Sequence, residues 1–433
     1  MDYYRHGVHS GERDGTCLLS FRAAIAWKWL RFRACLIWSC GHKFLLIAIP
    51  QPRSWRCARD RLFETSEIAI LTANPDPLLM LRSLRRASFR LLKSCGVERL
   101  LAASTWRQRR LLILCYHGIA IADEDQWRRE LYMSQSFLAD RFQLIRNAGC
   151  LVLPLGEALE RLHSGSLPSR SVAITFDDGG YDFYRRAYPV VREYGFPVTV
   201  YQTTYYSELE KPIFTLACSY LLWRMRGSVL SPCPQLGLSG PRGLGTELDR
   251  EHAVSELVAF SEKNALTGAE KDELVEQLAG LLGFDYREFQ AKRILQLMRP
   301  QEIQELSAKG VDFQLHTHRH RTPDDEELFR KELRDNRKRL EEITGRACTH
   351  FCYPSGLYRR EYLPWLRQEG IVSATTCEPG IASPENDTML LPRFIDTTFK
   401  TPVEFESWLA GTGPLLARPP ASLRYRSPLS SSG

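Results

Sequence analysis

From Leu111 onward the chain alternates between short, unbroken apolar runs and longer stretches with apolar residues at every third or fourth position. The runs read as strands buried on both faces, the longer stretches as amphipathic helices. Strands are expected at Leu111–Tyr116, Leu151–Leu153, Ser171–Phe176, Phe196–Thr203, Val311–Leu315, Thr349–Tyr353, Ile371–Thr376 and Met389–Ile395. Between them the pattern predicts a helix through Phe137, Phe142 and Ile145, and another over Gly156–His163. A third runs from Phe183 to Tyr194 and stops at Gly195. Pro300 starts a fourth, with Ile303 and Leu306 inward and Gly310 as its stop. Pro323 starts a fifth, with Phe329, Leu333, Leu340 and Ile343 inward and Gly345 at its end. Strand and helix in alternation predict a parallel sheet or barrel.

One stretch breaks the rhythm. Residues 206–298 form an insertion whose first part holds Pro232, Pro234, Gly237, Gly240, Pro241, Gly243 and Gly245 and reads as loop. Its second part reads as helix: Thr267 and Glu270 have the spacing of a capping box, and Leu274, Leu278, Leu281 and Leu282 make an apolar face. The insertion either roofs a cleft or packs at its side.

The chemistry sits where strands end. The run Ser171–Phe176 stops in Asp177, Asp178, Gly179 and Gly180. Adjacent strand residues face opposite ways, so both acids can serve one site only if the backbone turns there, which the glycines permit. Two close carboxylates repel, so separate roles are expected: a metal for one, a proton task for the other. Far along the chain, Val311–Leu315 leads into His316, Thr317, His318, Arg319 and His320. Two His and one Asp are three protein ligands with a position left for water, the arrangement of a catalytic zinc site.

Thr175–Gly179 and His316-Thr317-x-x-His320 resemble the first two motifs of the polysaccharide deacetylase (NodB-homology, carbohydrate esterase 4) family over about Leu111 to Leu409. The resemblance implies an α/β fold, a distorted, incomplete (β/α) barrel, here with a helical insertion. It implies Asp177 as catalytic base and Asp178, His316 and His320 as ligands of a divalent metal, with Zn2+ expected. His318 falls at a variable position of the motif. Cys352–Gly356 corresponds to a third motif, with Cys352 where an Arg would orient the base and Ser355 where a backbone N–H would hold the oxyanion. Leu391-Pro392-Arg393 stands where the family places a general-acid His. An arginine cannot give up a proton at neutral pH, but it can hold an anion. His117, at the end of the first strand, is the candidate acid or substrate contact, and Tyr353, Arg393 and His318 are candidate substrate contacts. The implied reaction is hydrolysis of a carbon–nitrogen, non-peptide bond: removal of N-acetyl groups from a hexosamine-containing poly- or oligosaccharide, bacterial exopolysaccharide included. The alternatives are hydrolysis of another amide and a glycan-binding protein without catalysis.

Charge narrows the partners. The net +7 is local: residues 81–110 carry nine Lys/Arg against one acid, Glu98. The remainder is close to neutral, which argues against a nucleic-acid partner. From Leu81 to Ser94, Leu81, Leu84, Ser88, Leu91 and Leu92 share one helical face, and Arg82, Arg85, Arg86, Arg90 and Lys93 fill the rest. That segment either packs its leucines on the domain or lies on an anionic membrane. Twelve cysteines without CxxC pairing read as buried thiols. Residues 1–79 lack periodicity and read as a disordered or non-native extension, with Met80 as the start and a divergent anchor as the alternative. No export signal is recognised, so the expected location is cytoplasmic with a membrane-surface contact. The division is thus 1–79, a basic helical segment over 80–110, the deacetylase-like domain over 111–410 and a disordered tail over 411–433.

Overall fold

The computed structural model describes residues 77–416, with side chains over 86–414. The extension up to residue 76 and the tail from 417 lie outside the described residues, and the side chains of Leu81, Arg82, Leu84 and Arg85 in the amphipathic pattern lie outside the described side chains.

Seven parallel strands make the frame: β1 (Leu112–Tyr116), β2 (Ser171–Phe176), β3 (Thr199–Gln202), β4 (Asp312–Leu315), β5 (His350–Cys352), β6 (Ser373–Pro379) and β7 (Leu391–Ile395). Each pairs with the next except that β7 returns to β1, which also pairs with β2, so the ring closes. It is a distorted barrel one strand short of eight, and a single residue pair, Phe351 with Leu315, joins β4 to β5. The two-residue strand Leu151–Val152 adds to the lower end of β2.

Every position of β1 and β2 is buried, which explains their unbroken apolar runs. Alternate residues serve different cores. Leu112, Leu114, Tyr116, Ile174 and Phe176 pack outward against the helices. Leu111, Ile113, Ala173, Tyr201, Cys352 and Leu391 pack together on the barrel side. Burying such a side chain stabilises by about 1.5–3 kcal/mol, enough to fix which face is which.

Three helices of the insertion, α2 (Phe214–Arg224), α3 (Glu247–Lys263) and α4 (Gly268–Leu281), follow the basic helix α1 (Pro77–Ser94). They build a core of their own from Ala217, Leu221, Leu257, Leu274 and Leu278, separate from that of the barrel. The capping box at Thr267 and Glu270 is present. Leu281 is exposed, and Val275 takes the inward place expected of it. The stretch expected as loop contains α2 and a small hairpin, Val229–Leu230 with Arg242–Gly243.

Helix α5 (Glu326–Thr344) begins three residues after Pro323, because the Asp325 carboxylate accepts the Leu328 N–H and sets the cap there. Helix α6 (Pro402–Ala410) receives α1, with Lys93 paired to Glu406. Among the described side chains of α1, Phe89 is buried and Leu91 is exposed. The ordered chain also passes Gly411, since Thr412 is buried and donates to the Ser407 carbonyl. All eight described cysteines are free thiols. Among the described residues no helix is long and apolar enough to cross a membrane.

Candidate active site

The C-terminal ends of the strands open on one side of the barrel, where such folds gather their working groups. Ala173, Thr175 and Asp177 share one face of the extended chain, so β2 carries the Asp177 carboxylate into the barrel mouth. The turn expected from the glycines already begins at Asp178, whose φ is +72°. Asp is among the few residues that tolerate this left-handed backbone. Gly179 continues it at φ +76°, and a Cβ there would lie 2.0 Å from the Gln202 amide oxygen. The two carboxylates therefore diverge.

Asp177 is almost wholly buried. Its two oxygens accept from the two terminal nitrogens of Arg393, each at 2.7 Å. Arg393 also donates to the Thr376 carbonyl at 3.0 Å, to Thr175 Oγ1 at 3.1 Å and to Cys352 Sγ at 3.1 Å. All five guanidinium N–H groups are thus engaged. The thiols of Cys115 and Cys352 each lie 3.5 Å from Asp177 Oδ2. Burial pushes the Asp177 carboxyl up, but the Arg393 guanidinium more than reverses this and holds it well below the usual carboxylate range. Arg393 has no exposed surface. It therefore holds the Asp177 carboxylate and offers no surface for the substrate contact expected of it, standing on β7 where the motif would place an Arg at Cys352 on β5.

Asp178 meets different partners. Nε2 of His316 and Nε2 of His320 both stand 3.2 Å from its Oδ1. His316 Nδ1 donates to the Cys352 carbonyl at 2.8 Å, which leaves the lone pair on Nε2. Three acceptor atoms turned toward one point need a proton or a cation between them. A 3.2 Å separation is close to the ligand–ligand edge of about 3.3 Å that tetrahedral coordination at about 2.0–2.1 Å produces. The donor set of Asp178, His316 and His320 fits a divalent metal. Two other groups of potential ligands, Cys115–His117–Asp177 and Asp177–His316–Cys352, share Asp177, whose charge is already matched by Arg393.

The histidine loop is held from outside by α5. Asn336, wholly buried, accepts the His316 N–H at 2.9 Å and donates to the Gln202 carbonyl and to Thr204 Oγ1, each at 3.0 Å. Glu332, also buried, accepts from the Arg319 N–H at 2.9 Å and from the Arg321 side chain at 2.7 Å. Thr317 and His320 sit at φ +61° and +54°, a strained backbone that these contacts over-determine. Neither Asn336 nor Glu332 figured in the sequence reading. Their signal is position: both fall among Phe329, Leu333, Leu340 and Ile343, on the apolar side of the helix.

The other expected residues divide. His117 Nε2 lies 3.7 Å from Asp177 Oδ2 with its side chain 17% exposed, so it joins Asp177 at the mouth. Ser355 is exposed in the turn that follows β5, at φ +56°. His318 points away from the ligand set, with Nδ1 2.8 Å from Thr204 Oγ1. Tyr353 is wholly buried and donates to the Met389 carbonyl at 3.0 Å, a core position with no surface for a substrate contact.

Both stems of the insertion are tied to the site. At its start the Tyr205 N–H donates to the His318 carbonyl at 2.9 Å. At its end Gly180 bridges Leu297, with Tyr181 N–H to the Gln296 carbonyl at 2.9 Å and Met298 N–H to the Gly179 carbonyl at 3.0 Å. The acid loop and the histidine loop are thus each anchored to one stem.

Residues 164–221 and 269–374 match the model of the polysaccharide deacetylase family. Poly-beta-1,6-N-acetyl-D-glucosamine N-deacetylase of Escherichia coli K12 is 29% identical over 101 residues, which are 23% of this chain and 15% of that protein's length. The protein of the same name from E. coli O157:H7 is 28% identical over 99 residues, 23% of this chain and 14% of that protein. Among solved structures, the Streptococcus pyogenes deacetylase PplD in complex with acetate has a TM-score of 0.45 at 18% identity, over 68% of this chain and 95% of that one. IcaB from Ammonifex degensii has a TM-score of 0.42 at 19% identity, over 70% of this chain and 97% of that one. Over those two stretches the chain matches the polysaccharide deacetylase family, with Asp177 and Asp178 in the first and His316 and His320 in the second.

Proposed function

We propose that this protein is a divalent-metal-dependent hydrolase that removes acetyl groups from N-acetylhexosamine units of a glycan. The observation that carries the reading is the division between neighbours: Asp177 is matched to Arg393, whereas Asp178 faces His316 and His320. The substrate class follows from the E. coli relatives, which are named poly-beta-1,6-N-acetyl-D-glucosamine N-deacetylase.

A divalent cation, zinc by its two-nitrogen, one-oxygen ligand set, would supply Lewis acidity for the amide carbonyl and a more acidic water. Asp177 receives the proton of the attacking water. Arg393 keeps that carboxylate ionised and its oxygens fixed, at the cost of basicity, so Asp177 acts as an oriented and weak acceptor. The backbone N–H at Ser355 stabilises the oxygen charge that develops on the former carbonyl. His117, beside Asp177 Oδ2 and partly open to the mouth, delivers a proton to the departing nitrogen. The amide C–N bond breaks, and acetate and a free amine leave.

The test is acetate release from β-1,6-linked N-acetylglucosamine oligomers, after chelation and after zinc is restored. Release that vanishes with chelation and returns with zinc is expected. A protein carrying one equivalent of metal that releases no acetate from these oligomers would instead support action on another amide or glycan binding without turnover.

A further inference from the structure

The insertion holds a cavity of about 290 Å³ between the Tyr205–Leu209 turn and helices α2, α3 and α4. Tyr205 and Tyr206 supply aromatic surface on one wall. Lys211, Lys271, Asp272 and Glu262 supply two positive and two negative charges, which sum to zero. Lys211 and Asp272 form an ion pair at 2.5 Å. An ionic ligand would meet as much like charge as opposite charge, and a purely apolar ligand would cover the inner part of the Lys211–Asp272 pair without offering it a hydrogen bond. A neutral ligand with hydroxyl and amide groups on the edge and an apolar face meets neither objection. Val258, Ser261, Glu262 and Leu266 come from 222–268, the stretch that the family model does not match, so this wall is the chain's own.

The cavity also adjoins the metal-ligand loop. The Tyr205 ring stands edge-on to His318 at 5.5 Å, and its N–H is bonded to the His318 carbonyl. We infer that this cavity is a distal subsite for one N-acetylhexosamine unit of the same glycan whose other unit is hydrolysed at the Asp178–His316–His320 cluster. The inference rests on the deacetylase reading. Neutral, acetylated units suit a wall of zero net charge, and units already converted to an ammonium suit it less. The enzyme would therefore grip a substrate chain by sugars it has not yet altered.

The experiment has two arms on the full chain. In the first, kcat/KM is measured for N-acetylglucosamine oligomers from two to six units with wild type, Tyr206→Ala and Lys271→Ala. Wild type should gain with length, and each variant should lose about tenfold of the long-over-short ratio, equivalent to about 1.4 kcal/mol. An equal loss at every length, or an undiminished gain with length, would overturn the subsite. In the second, binding of the six-unit oligomer, and of its fully deacetylated counterpart, is titrated to metal-free protein by calorimetry. Preference for the acetylated form that Tyr206→Ala abolishes is expected, and equal binding by wild type and variant would overturn the proposal. If wild type binds as expected yet releases no acetate at any length, the reaction is at fault and the subsite stands.

Discussion

Asp177 and Asp178 are neighbours in the chain and opposites in surroundings. Around Asp177 the barrel is closed: the carboxylate is buried, doubly bonded to Arg393 and flanked by two thiols. Around Asp178 it is open: the side chain is 41% exposed and shares one oxygen between two imidazoles. On the proposed reading, this difference lets one strand end support two roles. A matched ion pair fixes a charge whose geometry must not change, whereas unmatched lone pairs leave a place for a cation. The left-handed turn at Asp178 makes the division possible, since an extended backbone would send that side chain to the far face of the sheet.

The largest effects should come from exchanging these roles. Asp177→Asn should lower deacetylation about 10²–10⁴-fold, the usual worth of a positioned base, while bound metal remains at wild-type content by atomic absorption. His316→Ala should remove both metal and activity; a variant that retained stoichiometric metal would mean that His316 is not a ligand. Next in size is Arg393→Gln. It strands a buried carboxylate and should cost about 3–5 kcal/mol in urea unfolding. Asp177→Asn added to it should restore much of that loss, and simple additivity of the two would show that the pair does not act as a unit.

Smaller effects belong to the supports. Asn336→Ala removes the acceptor of the His316 N–H and should weaken metal affinity about 10–100-fold, with a stability loss of about 1–3 kcal/mol. A competition titration with a chromophoric chelator measures the first, and unchanged affinity would reduce Asn336 to a core residue. The mildest test is pH. The folded-state pKa of Asp177 is lowered, so its contribution to stability is fully present above the unfolded value of about 3.9 and declines as pH falls toward the folded value. Stability measured from pH 5 down to pH 2 should therefore fall more steeply for wild type than for Asp177→Asn, and parallel curves would contradict the assignment.

Much of the frame was legible because parallel strands buried on both faces leave unbroken apolar runs, and six of the seven barrel strands fall within their expected segments while β6 overruns its own. The acids and histidines were legible because they sit at strand ends beside residues that permit unusual backbone. Arg393 was misassigned for a physical reason: whether it faces the barrel or the cleft depends on the register of β7 against β1, a contact that links residues far apart in the chain. Asn336 and Glu332 were missed because the helix was read by its apolar residues alone. The insertion's tie to both loops was not legible either, since it consists of backbone bonds, which carry no residue type.

A zinc titration of Asp177→Asn beside Asp178→Asn tests the division between the two acids most directly. The structure predicts one equivalent bound by Asp177→Asn, with affinity near wild type, and none by Asp178→Asn. Loss of binding in Asp177→Asn, or a retained equivalent in Asp178→Asn, would contradict it.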